Sequence, residues 1–210
     1  MADYTYKLEN NEYVFYEDGE VLTTPNGAVI KTGNEELARH LEGFLKRGFG
    51  YSSPTSLLTY HYTFCNLNKD YTQEFVANDF SNCVGYESLM NDDYLMFRQS
   101  SPVRQAIAVF FEKELPECFH KYTLNQLAAV LVINTAYHSW MLSHYIIADI
   151  IEPLYNDDNA KVMDLKQEFL DDLEEFECEE FGYDPDDDAY IRHLDEISHT
   201  IDAFVYYFIS

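Results

Sequence analysis

The sequence predicts an α+β protein: a small N-terminal antiparallel β domain over residues 1–32, followed by an all-helical domain over 33–210. Three observations carry this. Before residue 33 apolar and polar residues alternate and Asp-Gly and Asn-Gly pairs punctuate the chain. Beyond it the apolar residues recur every three to four positions. Polar capping residues and glycines bracket those helical stretches.

In the β part, Tyr4, Tyr6 and Leu8 alternate with polar neighbours, and so do Tyr13 and Phe15. Asp18-Gly19 and Asn26-Gly27 supply the positive φ of tight turns, between short runs at Val21–Thr24 and Ala28–Lys31. In the helical part, Asn34 is placed to cap a helix with Glu35 and Glu36 in its first turn and Leu37, Leu41, Phe44 and Leu45 inward, ended by Gly48 and Gly50. Asp70 with Gln73 reads as the start of a helix carrying Phe75, Val76 and Phe80. Ser101-Pro102 reads as the start of another, before Val103, Ala106, Ile107, Phe110 and Phe111. Thr123 with Gln126 forms a capping-box pattern. It opens Leu124–Ile147, apolar nearly all round and so expected to be the central buried helix. An acidic amphipathic helix is expected over 160–181, with Val162, Leu165, Phe169, Leu173 and Phe176 inward and Gly182 as its stop. Asp184-Pro185 then starts a last helix with Ile191, Leu194, Ile197, Ile201, Phe204 and Phe208 on one face.

The charge narrows the function. The 210 residues include 13 Lys and Arg against 38 Asp and Glu, a formal net charge of −25. Such a chain repels nucleic-acid phosphates and lacks the basic cluster of a membrane-surface protein. More than half of that excess falls in 157–202, where 18 acidic residues face 3 basic ones. With 47% apolar residues, the chain still has the means to fold. No apolar run is long enough to insert in a membrane. Cys65, Cys83, Cys118 and Cys178 are scattered and form no CxxC pair, so they read as free thiols in a reducing compartment. The opening MADYTYKLENNEY has neither a secretory signal nor an Arg-rich transit pattern. A bacterial cytoplasm is therefore expected, or the mitochondrial matrix in a eukaryote.

No nucleophile elbow, phosphate-cradling glycine loop, HExxH or dinucleotide fingerprint is present, so no enzyme and no cofactor are expected. His138 and His144, and likewise His193 and His199, lie six apart, which does not place two ligands on one helix face. One pattern suggests calcium. Asp184, Asp186 and Asp188 take positions one, three and five of an EF-hand-like loop, and Asp195 takes position twelve. Ala189 stands where that loop needs glycine, and Asp195 where it uses glutamate. The competing reading is a helix start at Pro185 with an acidic first turn. A calcium-binding helix–loop–helix module is the alternative function, and an acidic mimic of nucleic acid is a more distant one.

Several segments, in order along nearly the whole chain, resemble one family. Asp18–Gly27 is similar to its opening DGR-like turn and KTP element, and Leu37-Ala38 to the helix that follows. Leu58-Thr59 resembles its PLT element. Arg98-Gln99 and Ser101-Pro102 resemble its RQ and WDP elements, and the region of Ser139 its LGS helix. Glu174–Asp184 resembles its acidic DExxQxxxWGxD signature, with Phe181 for the Trp and Glu177 for the Gln. Ser100 stands for the Trp of WDP, Leu45 for the first helix's Trp and His138 for the LGS glycine. The family is the assembly chaperones of the F-type ATP synthase head, mitochondrial assembly factor 2-like. The resemblance implies a monomeric, non-enzymatic chaperone that binds the free alpha subunit before it pairs with beta. It places the partner contacts at Glu174, Glu177, Phe181 and Asp184.

Overall fold

The computed structural model describes residues 2–48, 53–70, 123–135 and 149–210. The expected helices after Gln73 and after Pro102, and the part of Leu124–Ile147 beyond residue 135, lie outside the described residues. The protein is α+β, with an N-terminal antiparallel sheet followed by helices.

Strands β1 (Tyr4–Glu9) and β2 (Glu12–Glu17) form a hairpin in which Tyr6 faces Phe15. Its turn is Asn10-Asn11, both at positive φ (50° and 68°), a conformation asparagine tolerates. The other edge of β2 is shared. Strand β3 (Glu20–Val21) returns over Asp18-Gly19, with φ of 50° and 87°, and pairs with its end. Strand β4 (Lys31–Thr32) pairs with its beginning. The runs expected at Val21–Thr24 and Ala28–Lys31 meet between them only at a Thr23–Val29 bridge. Gly27 turns that loop at φ 78°.

Helix α1 (Glu35–Arg47) behaves as its sequence dictates. The Asn34 side chain accepts from the N–H groups of Glu36 and Leu37, and Gly48 closes the helix at φ 74°. Leu37, Leu41 and Leu45 are buried, and Phe44 is half-buried. Helix α2 (Leu57–Asp70) was not legible as a helix. Asp70 is its last described residue, and the helix expected to start there with Gln73 lies outside the described residues. Helix α3 (Leu124–Thr135) starts with the reciprocal pair the sequence encodes: the Gln126 N–H donates to Thr123 Oγ1 (3.2 Å) and the Thr123 N–H to Gln126 Oε1 (2.9 Å). Ala128, Ala129, Val130, Val132 and Ile133 are all buried, as an all-round apolar helix requires, and α3 packs on α2 and on the last helix. The short helix α4 (Ile151–Tyr155) leads to α5 (Asn159–Phe181), capped by Asp158 and ended by Gly182 at φ 70°.

The last helix, α6, runs Asp188–Ile209 and is capped by Asp187, not by Asp184. Asp184 and Pro185 instead form a turn, in which the Asp187 N–H reaches the Asp184 carbonyl (3.0 Å) and the Asp186 N–H reaches Asp184 Oδ1 (3.0 Å). Proline suits the second position of such a turn as well as a helix start, so spacing did not decide between them. Tyr190 takes the inward place expected of Ile191, which is exposed, and Ile197, Ile201, Phe204 and Phe208 are buried as expected.

The sheet has no core of its own. Phe15, Ala28 and Ile30 belong to the same buried cluster as Leu37 and Leu41 of α1, Leu58 of α2 and Ile201 and Phe204 of α6. A polar junction sits inside it. His61 is fully buried, with Nε2 2.9 Å from the Lys31 carbonyl and Nδ1 2.8 Å from the Tyr207 hydroxyl. A carbonyl only accepts, so Nε2 carries the proton and Nδ1 accepts from Tyr207. One side chain on α2 thus joins β4 to α6. Tyr60 stacks on Tyr207 beside it (5.5 Å between centroids), and Cys65 Sγ lies 3.6 Å from His61 Nε2. Burial, opposed by the hydrogen bond to the Lys31 carbonyl, lowers the His61 pKa to about 4, and it pushes Cys65 up to about 11. Thr24 donates to Asn66 (2.6 Å), a second tie from sheet to α2. Lys166, buried on α5, pairs with Asp202 on α6 at 2.5 Å.

The pH dependence has a definite sign. His61 takes up a proton more readily unfolded (pKa near 6.5) than folded, so its contribution is fully present above about pH 6.5 and is lost as the pH falls toward about 4. That loss is on the order of 3 kcal/mol. Easing of carboxylate repulsion acts in the opposite direction, so the measurement is the difference between wild type and His61→Gln in denaturant unfolding. Wild type should lose stability relative to the variant over this window, and the His61 imidazole should show no NMR titration above about pH 5.

Candidate functional site

The acidic segment and the residues singled out in it converge on the hairpin between α5 and α6. The turn that joins these helices, residues 182–187, is exposed throughout. At its base Phe176 meets Phe181 edge-on (5.8 Å), Phe181 meets Tyr183 (6.0 Å), and Tyr183 stacks on Tyr190 (5.4 Å, 23° between planes). Tyr190 in turn lies 6.0 Å from the His193 ring. The middle of the ladder is in solvent and its flanks are covered: Phe181 is 63% and Tyr183 51% exposed, while Phe176 is half-buried and Tyr190 is 6% exposed.

The local sequence explains the protrusion. Gly182 in the left-handed region ends α5 immediately after Phe181, and the Asp184 turn delays α6 until Asp188. Neither aromatic can then follow a helix face back into the core. Carboxylates surround them. Glu174 is exposed on α5. Glu177 turns inward, its side chain 14% exposed, with Oε2 3.3 Å from His193 Nε2 on α6, an ion pair whenever that imidazole is protonated. Burial first, and then the Glu177 charge, raises the Tyr190 pKa.

Of the four expected contact residues, Phe181 is presented to solvent and Glu174 is free to meet a partner. Glu177 is a strut between two helices. Asp184 is exposed but accepts a hydrogen bond from within its own turn. Sequence reasoning missed Tyr183, Tyr190 and His193 as members of the cluster; an aromatic on each side of the Gly182 break was the available signal. The structure does not gather the calcium set. Helix α6 begins at Asp188, so the pattern is already helical from its fifth position, where a loop would have to wrap an ion. No group of three His, Cys, Asp or Glu among the described residues could hold a metal.

His61 and Cys65 approach each other at 3.6 Å, and they are sealed in the core with the thiol pKa raised. A neutral buried thiol is a poor nucleophile. Among the described residues no helix is long and apolar enough to cross a membrane. No family model, curated protein or solved structure matches the chain.

Gly182 itself is testable. A Cβ there would meet no atom within 4 Å, so Gly182→Ala introduces only the strain of a left-handed alanine. Thermal or urea unfolding should show a loss of about 1 kcal/mol. A loss near zero would mean that the left-handed cap does not set the end of α5.

Proposed function

We propose that this chain is an assembly chaperone of the F-type ATP synthase, binding the free alpha subunit of the catalytic head before it pairs with beta. The observation that carries the reading is the pair of exposed aromatics, Phe181 and Tyr183, set among carboxylates on a hairpin that the core does not need to cover. Large exposed apolar side chains ringed by charge are typical of protein-binding surfaces. The segment that carries them is the one that resembles the family's acidic signature. The negative field from 157–202 would speed encounter with a basic client surface and oppose self-association, so the protein acts as a monomer. The reading includes no catalysis and no cofactor. It places the protein in the bacterial cytoplasm, or in the mitochondrial matrix in a eukaryote.

The experiment is co-purification with the alpha subunit from the source cell. Wild type should retrieve it, and Glu174→Lys and Phe181→Ser should retrieve little while keeping the wild-type circular dichroism. Both residues are exposed, so each substitution should change stability by less than about 1 kcal/mol. Failure of wild type to retrieve the subunit would end the client assignment. Full retrieval by both variants would move the contact elsewhere on the surface.

A further inference from the structure

The two exposed rings of the α5–α6 turn are placed side by side. Stacking on Tyr190 covers one face of Tyr183 and leaves the other to solvent. Phe181 stands next to it, with its centroid 6.0 Å away and its plane inclined by 53°. A ring attracts a cation within about 6 Å of its centroid, so one cationic group can be in range of both rings at once.

Elsewhere the chain supplies such a cation itself. Lys7 Nζ lies 4.4 Å from the Tyr16 centroid, and the Arg47 guanidinium 4.9 Å from that of Phe44. Among the described residues no cation lies over Phe181 or Tyr183. The local sequence explains why. Residues 167–191 hold 12 Asp and Glu and no Lys, Arg or His. The basic residues at either end are turned to other tasks. Lys166 pairs with Asp202, and His193 rests on Glu177. Arg192 is two positions beyond Tyr190, so it lies on another face of α6, lining the cleft toward Phe44 of α1. Glu179 and Glu180, exposed just before Phe181, enter no ion pair among the described residues. The charge around the two rings is therefore of one sign.

We infer that Phe181 and Tyr183 form a receptor for an arginine side chain of a protein partner. A guanidinium is planar and more weakly hydrated than an ammonium, so it can lie on a ring face while its in-plane N–H groups donate to carboxylates at the rim. Glu180 and Asp184 bracket the two rings in the chain, are exposed, and supply such acceptors. A lysine ammonium, compact and strongly hydrated, gains the negative field and little from the rings. The inference rests on the protein-binding reading above and adds to it the chemical group of the client that the turn recognises.

The test uses the full chain and two fluorescein-labelled probes, alternating glycine–arginine and glycine–lysine peptides of equal length and charge. Physiological ionic strength screens the unspecific attraction that both share. Wild type should bind the arginine peptide about tenfold more tightly than the lysine peptide. Phe181→Leu and Tyr183→Leu each keep an apolar side chain and remove a ring, and each should cut that preference to about twofold. Glu168→Lys/Asp172→Lys, exposed on α5, should weaken both peptides alike and keep the preference. Equal affinity of wild type for the two peptides, no binding of the arginine peptide, or a preference intact in both leucine variants would overturn the receptor. The comparison of peptides on wild type does not depend on how any variant folds. The same proteins are then used to retrieve the alpha subunit. Ring-dependent arginine preference in a wild type that retrieves no alpha subunit would reject the client and leave the receptor standing. Retrieval of the alpha subunit by a wild type that binds both peptides equally would reject the receptor alone.

Discussion

The neutral imidazole of His61 is the constraint on which the rest of the structure depends. Its two ring nitrogens are used in opposite senses, one donating to the backbone of β4 and one accepting from a tyrosine of α6. This works only while the ring holds a single proton. A buried imidazolium would have to donate from both nitrogens, and among the described residues no carboxylate stands beside it to offset its desolvation. The junction therefore fixes three things together: the depth at which α2 enters the core, the register at which the end of the sheet meets it, and the rotation of α6 that turns Tyr207 inward.

Those settings determine what is left outside. With Tyr207, Phe204 and Ile201 committed to the core, the C-terminal half of α6 is a structural element. Its N-terminal half projects beyond that core and is held to α5 through Glu177, His193 and Tyr190. The acidic excess is concentrated on α5 and the turn that leads into this half of α6. Repulsion among so many carboxylates would be costly beside the core, where the dielectric is low, and is screened where the side chains face water. The two ends of this helix therefore differ: one is apolar and shared with the sheet, and the other stands beside the aromatic ladder.

Much of the fold was legible because local chemistry dictated it. Asn34, Thr123 with Gln126, Gly48 and Gly182 each occupy the cap that their side chains, or the lack of one, favour. Asp18-Gly19 makes its turn at positive φ. The unread parts were those in which a tertiary partner supplies the reason. Helix α2 buries a histidine, a cysteine and a tyrosine along with its leucines, and the polar groups at inward positions hide the periodicity until Lys31 and Tyr207 are seen to satisfy His61. Asn10-Asn11 lacks the glycine that marks the other turns. The helix start at Asp187 could not be separated from Asp184 by spacing, because either aspartate can accept from a backbone N–H two residues on, and both do. At the candidate site, Glu174 and Phe181 came from the resemblance of the acidic segment, and the structure shows that both are exposed. The ladder through Tyr183 and Tyr190 needed the angle between two helices.

Sheet and helices share one buried cluster fastened at His61, and the α5–α6 turn stands exposed outside it. Native-state hydrogen exchange of the free protein tests this directly. The amides of Phe15 in β2, Leu41 in α1, Cys65 in α2 and Phe204 in α6 should open with one common free energy, the global one, and those of 182–187 should exchange orders of magnitude faster. A sheet that opened at lower energy than α2 and α6, or a turn protected as strongly as the core, would contradict it.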